Sequence, residues 1–273
     1  GMTIIKMLKR YLSSLDLSYL MLGFALLTRL MTYFYNRSLF LDEAALALNI
    51  INKNWQALGS ILDFNQSAPI GFLYLSKLMV MNFGASEYVF RFIPLIASLI
   101  ACFVVFGITQ KLQPKMTPVV LLWFATSGIN LRYATEFKQY SLDLLFTLLL
   151  LSIVLFFFQQ NRSRYILLFS LVGSVAVWFS HASVFVIAGF GLTLLAYLLQ
   201  KRQWRDLAYV AIGCAVALIS FITVYVNFYA SVVSGTSIAN SMQAYWINDF
   251  FQLNLVWFIR LPALIFQFIT GFN

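Results

Sequence analysis

Apolar residues run along this chain in blocks of about twenty, parted by short polar interruptions, from one end to the other. A helix of that length matches the hydrocarbon thickness of a bilayer, where only helices and closed barrels satisfy their own backbone. The blocks predict spans at 17–35, 88–110, 117–133, 140–159, 165–181, 183–199, 207–229 and 255–270, about eight in all. A different period follows the first block. From Asp42 onward, Asn49, Asn52, Lys53 and Gln56 fall on one helical face, while Ala44, Ala47, Leu48, Ile51, Trp55 and Leu58 keep the other apolar. That pattern predicts a helix lying in the membrane interface. Ser67-Ala68-Pro69 then reads as a helix start, and Ile70 to Phe83 predicts a second helix, short for a span. The expected fold class is all-α: a polytopic integral membrane protein forming a single transmembrane unit over 1–273, with two juxtamembrane helices in the 36–87 outer loop.

Composition agrees. The 273 residues are 62% hydrophobic and 10% charged, with 28 Phe, which excludes an ordinary soluble domain. The net charge of +9 invites a nucleic-acid partner, but the basic residues are scattered in short loops, so none is expected. They set orientation instead. Lys6, Lys9, Arg10, Lys111, Lys115, Arg162, Arg164, Lys201, Arg202 and Arg205 fall to one side with only Asp16 and Asp206 among them. By the positive-inside rule that side, and the N-terminus, is cytoplasmic; the membrane is expected to be the plasma (inner) membrane. A spanning Ile70–Phe83 would send those basic loops outside, which argues against it. Asp42, Glu43, Asp63, Glu87, Glu136, Asp143 and Asp249 all collect on the far, extracytoplasmic face and mark it as the working one. Met2 with Lys6, Lys9 and Arg10 precedes a span-length block with no small-residue cleavage pattern, so the N-terminus is expected to anchor the chain. Cys102 and Cys214 sit inside apolar blocks and form neither a disulfide framework nor a metal site by spacing. The longest later interruption is Ala230 to Asn254.

Ionisable groups beside or within a span are costly and are usually kept for function. Asp42 and Glu43 open the interfacial helix; as plain helix chemistry, Asp42 would cap it and Glu43 would favour its positive end. Arg132 to Asp143 is the densest polar run between two blocks. Continued as helix it puts Glu136, Gln139, Tyr140 and Asp143 on one face, with Asp143 a turn into the membrane. His181, the only histidine, marks the tip of a tight hairpin. Arg29 and Arg91 lie near the outer ends of their spans, placed to snorkel to headgroups or to hold a phosphate. The sequons at Asn36, Asn65 and Asn161 are weak matches.

The order of parts, with Asp42-Glu43 after the first span, a Pro-led second helix, and a span opening Glu87-Tyr88-Val89-Phe90-Arg91-Phe92-Ile93-Pro94, resembles the GT-C glycosyltransferases of the protein O-mannosyltransferase and aminoarabinose-transferase type. The resemblance implies a catalytic Asp at Asp42 with Glu43 beside it, and a second acidic motif around Glu136 and Asp143. It implies transfer of a sugar from a polyprenyl-phosphate-linked donor to an acceptor hydroxyl, with inversion and Asp42 as base. Arg91, Arg132 and Lys138 would hold the phosphate. Glu43, Glu136, Tyr140, Asp143 and His181 would orient sugar or acceptor, or hold a divalent cation if one is used; no other cofactor is implied. The expected partners are that donor, the lipid bilayer and an acceptor that is a protein, lipid or glycan. The chain departs from the family at Glu136-Phe137-Lys138-Gln139-Tyr140-Ser141-Leu142-Asp143, where protein mannosyltransferases carry Leu-Asp-Ala-Pro, and it ends at Asn273 where members continue, so a C-terminal part is expected to be missing. The rival classes are a transporter or lipid flippase, which would place ionisable groups at mid-bilayer on broken helices, and a non-catalytic membrane subunit.

Overall fold

A computed structural model describes residues 14–230, and these are helices joined by short turns, with no β-strand among them. The helices are α1 (Ser14–Tyr35), α2 (Leu41–Asn52), α3 (Trp55–Leu58), α4 (Ile70–Phe83), α5 (Glu87–Leu112), α6 (Thr117–Thr126), α7 (Gly128–Ala134), α8 (Tyr140–Gln160), α9 (Arg164–Phe179), α10 (Ser183–Gln200) and α11 (Trp204–Val224), the last passing into a short π-helix, Tyr225–Tyr229. Among the described residues, five helical stretches are long and apolar enough to cross a membrane: Leu17–Tyr35, Glu87–Leu112, Tyr140–Gln160, Ser183–Gln200 and Trp204–Phe228. The expected span at 255–270 and nearly all of the 230–254 loop lie outside the described residues.

Two buried clusters hold the bundle together. One joins α1, the first-loop helices, α5, α6 and the start of α8 through Leu46, Phe72, Phe90, Leu121 and Phe137; the other joins the second half of α8 to α9, α10 and α11 through Leu150, Phe157, Phe169, Leu194 and Val210. Outside, the bundle is apolar: Leu167, Phe185, Leu192 and Ile219 are all exposed, as the lipid-facing side of a membrane bundle requires. α4 keeps its expected bounds and lies against the end of α9, where a Cβ on Gly71 would stand 2.7 Å from the Trp178 carbonyl oxygen.

Three elements differ from the sequence expectation. The block 117–133 is not one helix: the chain leaves helical geometry at Ser127 (φ −63, ψ 113), separating α6 from α7. Ser127-Gly128 is the local breaker that could have signalled it. A broken helix leaves carbonyls without donors, and Arg29 supplies one. Its Nη2 donates to the Phe124 carbonyl at 3.2 Å, its Nε to Ser98 Oγ at 2.7 Å and its Nη1 to the Ala25 carbonyl at 2.9 Å, with the guanidinium 4.5 Å from the Phe124 ring centroid. Arg29 is fully buried, so it neither snorkels nor faces a ligand. The block 165–181 becomes α9, of 16 residues and too short to be counted among the crossing helices. The interfacial helix is interrupted at Lys53, where ψ 141 ends α2 before the single turn of α3. Its faces are also rotated from expectation. Leu48 and Ile51 are exposed while Asn49 is buried, because Asn49 pairs with the Asp63 backbone, donating from Nδ2 at 3.1 Å and accepting at Oδ1 from the amide at 2.8 Å.

Candidate functional site

The loop that follows α1 is fastened to the bundle by one carboxylate. Glu43, in the first turn of α2, is completely buried. Its Oε2 accepts from the Phe40 amide at 3.0 Å, which closes the open N-terminal end of α2. Arg91, buried one turn into α5, donates Nε to Oε1 and Nη2 to Oε2, each at 3.1 Å. This is the planar fork meeting a carboxylate along both edges. The remaining Arg91 contacts are to the Arg37 carbonyl and, at 3.2 Å, the Ser38 carbonyl. Arg37 Nη1 adds an ion pair to Oε2 at 2.9 Å, and the Phe137 amide donates to Oε1 at 2.7 Å across 94 residues of sequence. Glu43 and Arg91 are thus joined to each other and to backbone, rather than turned toward open space.

Burial alone would push the Glu43 carboxyl up. The Arg91 hydrogen bonds and the Phe137 and Phe40 amides more than offset it, and the acid is held below its ordinary range. A carboxyl with a folded pKa below its unfolded one contributes stability above the unfolded value and loses it as pH falls through the folded value. The Glu43 contribution is therefore expected to be intact from neutral pH down to the ordinary glutamate range and to disappear below it. Unfolding midpoints in detergent measured from pH 7 downward should drop in that acid limb, and the drop should be smaller in Glu43→Gln, where only the other paired carboxylates remain to be protonated.

The 135–139 segment is not the helical continuation expected from its polar spacing. α8 begins at Tyr140, and Thr135 to Gln139 make an irregular turn, so Glu136 does not share a helix face with Asp143. The turn is fixed instead by Phe137, fully buried with its ring 5.4 Å from Phe72 and 4.9 Å from Phe90, and by its amide on Glu43. Glu136 accepts from Arg132 Nε at 2.9 Å, and Arg132 itself is largely exposed at the rim. Lys138 is 8% exposed and donates Nζ to Gln66 Oε1 at 2.7 Å. Burial lowers its affinity for a proton, while the nearby charges of Asp42, Glu136 and Glu43 work in the opposite direction.

Asp42 is exposed and makes no hydrogen bond or ion pair among the described residues; it does not cap α2, since that position belongs to Phe40. Tyr140 lies in the field of Glu136, Asp42 and Asp143, and its ring packs tilted against Tyr133, with centroids 4.5 Å apart. Asp143 faces the Ser180 hydroxyl and the Ala182 amide, which brings it to the hairpin that carries His181. His181 is neutral at pH 7, its pKa pushed down to about 4 by burial. Asp42, Glu136, Lys138 and Tyr140 therefore gather at the end of the bundle where Glu43 ties the loops, with Asp143 and His181 beside them. Arg91 and Glu43 are drawn into the support beneath, and Arg132 stands at the edge.

Below this polar cluster an apolar groove opens on the side of the bundle. A cavity of about 350 Å³ is lined by Trp123, Ile129, Asn130, Tyr133, Tyr140, Ser141 and Leu144. A second, of about 280 Å³, shares Trp123, Asn130 and Leu144 with it and continues past Leu148 and Leu151 along α8. The break at Ser127 shapes this groove, since Trp123 comes from α6 and Asn130 from α7. Among the described residues, no three His, Cys, Asp or Glu side chains gather as a metal-binding group. Sequence reasoning passed over Gln66 and Phe137. Gln66 had no signal beyond its place inside a sequon, and Phe137 was one of 28 phenylalanines. Comparison with known protein families, curated proteins and solved structures finds no match to this chain.

Proposed function

We propose that this protein is a membrane glycosyltransferase that moves a sugar from a polyprenyl-phosphate-linked donor to an acceptor hydroxyl at the extracytoplasmic face of the plasma membrane. The observation that carries this reading is the gathering of Asp42, Glu136, Lys138 and Tyr140 directly above an apolar groove along α8. An isoprenoid chain suits the groove, and the charged cluster at its mouth suits a phosphosugar. The Asp42 carboxylate takes the acceptor hydroxyl proton, and the acceptor oxygen bonds to the anomeric carbon from the face opposite the phosphate. The anomeric carbon–oxygen bond breaks with its electron pair going to the phosphate, whose growing charge is met by the Lys138 ammonium and, at the rim, Arg132. Inversion follows from the single displacement. Glu136, Tyr140, Asp143 and His181 orient sugar and acceptor, and Glu43 with Arg91 holds the two site segments in register.

One pair of observations favours transport instead. The helix broken at Ser127 and the fully buried Arg29 are features that transporters use. Arg29 is bonded within the protein, which assigns it to supporting the break. Vesicles containing the purified protein and a panel of radiolabelled polyprenyl-phosphate hexoses separate the two. Transfer is expected to appear as free polyprenyl phosphate with the label on a new hydroxyl. Label that crosses the bilayer still attached to its lipid would identify a transporter, and neither outcome would leave a non-catalytic subunit.

A further inference from the structure

We propose that Gln66 is a positioning residue of the candidate site: its side-chain amide aims the Lys138 ammonium toward the Asp42 side, making the 59–69 loop part of the anion-binding surface. The anion's identity as a donor phosphate rests on the function proposed above; the positioning itself does not.

The amide is oriented at both ends. Gln66 Nε2 donates to the Phe64 carbonyl at 3.3 Å, which leaves Oε1 to accept from Lys138 Nζ at 2.7 Å. A glutamine with its oxygen and nitrogen exchanged would present a donor to an ammonium and lose both bonds. The loop that delivers this amide is built at some conformational cost. Phe64 and Asn65 both lie in the left-handed region, at φ 60 and 54, which side chains seldom adopt. Phe64 is also exposed, so no burial of its ring offsets the strain. Polar contacts hold the turn, alongside the burial of Leu62 before it and Ala68 after it. The Asn49 pincer on the Asp63 backbone, the ion pair from Lys53 to Asp63 at 3.1 Å and the Gln66 backbone N–H donating to the Asp63 carbonyl at 3.3 Å fix the residues on either side. A strained exposed turn locked by three polar contacts, ending on the side chain that binds a buried lysine, is the arrangement expected of a device for placing that lysine.

Lys138 needs placing. No acid approaches within ion-pair distance of it among the described residues, although Asp42, Glu43 and Glu136 all act on it from further off, and Asp42 and Glu136 act on Tyr140 as well. Gln66 is neutral, so it fixes the ammonium without cancelling its charge. An acid at that position would do the first and undo the second. The bond commits one ammonium hydrogen and leaves the others for a ligand.

The test follows from that distinction. The full chain in detergent is acetylated with trace acetic anhydride across a pH series, and the rate at Lys138 is read by mass spectrometry of its peptide in the wild type, Gln66→Leu and Gln66→Glu. Removing the acceptor should lower the pH midpoint of Lys138 reactivity; supplying a carboxylate should raise it by about one unit or more. Thermal midpoints of the three proteins, run in parallel, report folding. Opposite shifts in the two variants support positioning. Coincident midpoints, or shifts of the same sign that follow the loss of thermal stability, would overturn it. The reading of the anion is tested separately: opposite shifts in a protein that never turns over a polyprenyl-phosphate sugar would keep Gln66 as the residue that places Lys138 and discard the phosphosugar.

Discussion

Glu43→Ala is expected to be the most damaging single substitution at this end of the molecule, lowering the unfolding free energy by about 3–5 kcal/mol. The size comes from what is left behind. Alanine strands the buried Arg91 guanidinium without its carboxylate, and it removes the acceptor of the Phe40 and Phe137 amides. A buried, uncompensated charge is far more costly than the intact pair is beneficial. This yields a sharper expectation than the single variant. Arg91→Met in the Glu43→Ala background should recover part of the loss, because the stranded cation goes with it, so the double variant should be more stable than the sum of the singles predicts. Equilibrium unfolding in mixed micelles measures all four proteins of the cycle. Strict additivity, or a Glu43→Ala loss below about 1 kcal/mol, would show that Glu43 is not the fastening point.

How much of this was legible beforehand depends on how far apart the interacting residues stand. The helical class and the bounds of α4 follow from local apolar runs and from the Pro-led start at Pro69, so one segment of sequence suffices. The break in 117–133 was masked because apolar content outweighs a Ser-Gly pair when only hydropathy is summed, whereas Arg29, 95 residues from the carbonyl it supports, is what makes the break tolerable. In the sequence Glu43 is half of an acid pair, but its partners at Arg91 and Phe137 are 48 and 94 residues away, and no periodicity reports them. The same distance hides Gln66 from Lys138, 72 residues on. The polar run before α8 misled for the opposite reason. Glu136, Gln139, Tyr140 and Asp143 do have helical spacing, but Phe137 is drawn into the pocket between Phe72 and Phe90, and that burial outweighs the local preference. The cost of an ionisable group near a membrane marks the residues proposed for chemistry and marks Glu43 and Arg91 as well; that these two bind each other rather than a ligand is legible only in the fold.

That division gives the adjacent acids different fates on substitution, and Asp42 is where function should be lost without the fold. Asp42→Asn is expected to reduce transfer by about 10²- to 10⁴-fold, the usual worth of a general base, with KM for the donor little changed. Asparagine keeps the shape and can still hydrogen-bond the acceptor, but it cannot take the proton. Asp42 is exposed and unpaired among the described residues, so the stability change should be limited to its favourable place in the first turn of α2, about 0.3–1 kcal/mol, and its longer-range attraction for the Lys138 ammonium. Glu43→Gln, its isosteric counterpart one residue on, should weaken the Arg91 pairing and depress stability and turnover together. Unfolding midpoints and release of polyprenyl phosphate, measured on both variants, therefore distinguish a base from a fastening. Undiminished transfer by Asp42→Asn would remove Asp42 from the chemistry and, with it, the strongest argument that the charged cluster above the α8 groove is a transferase site.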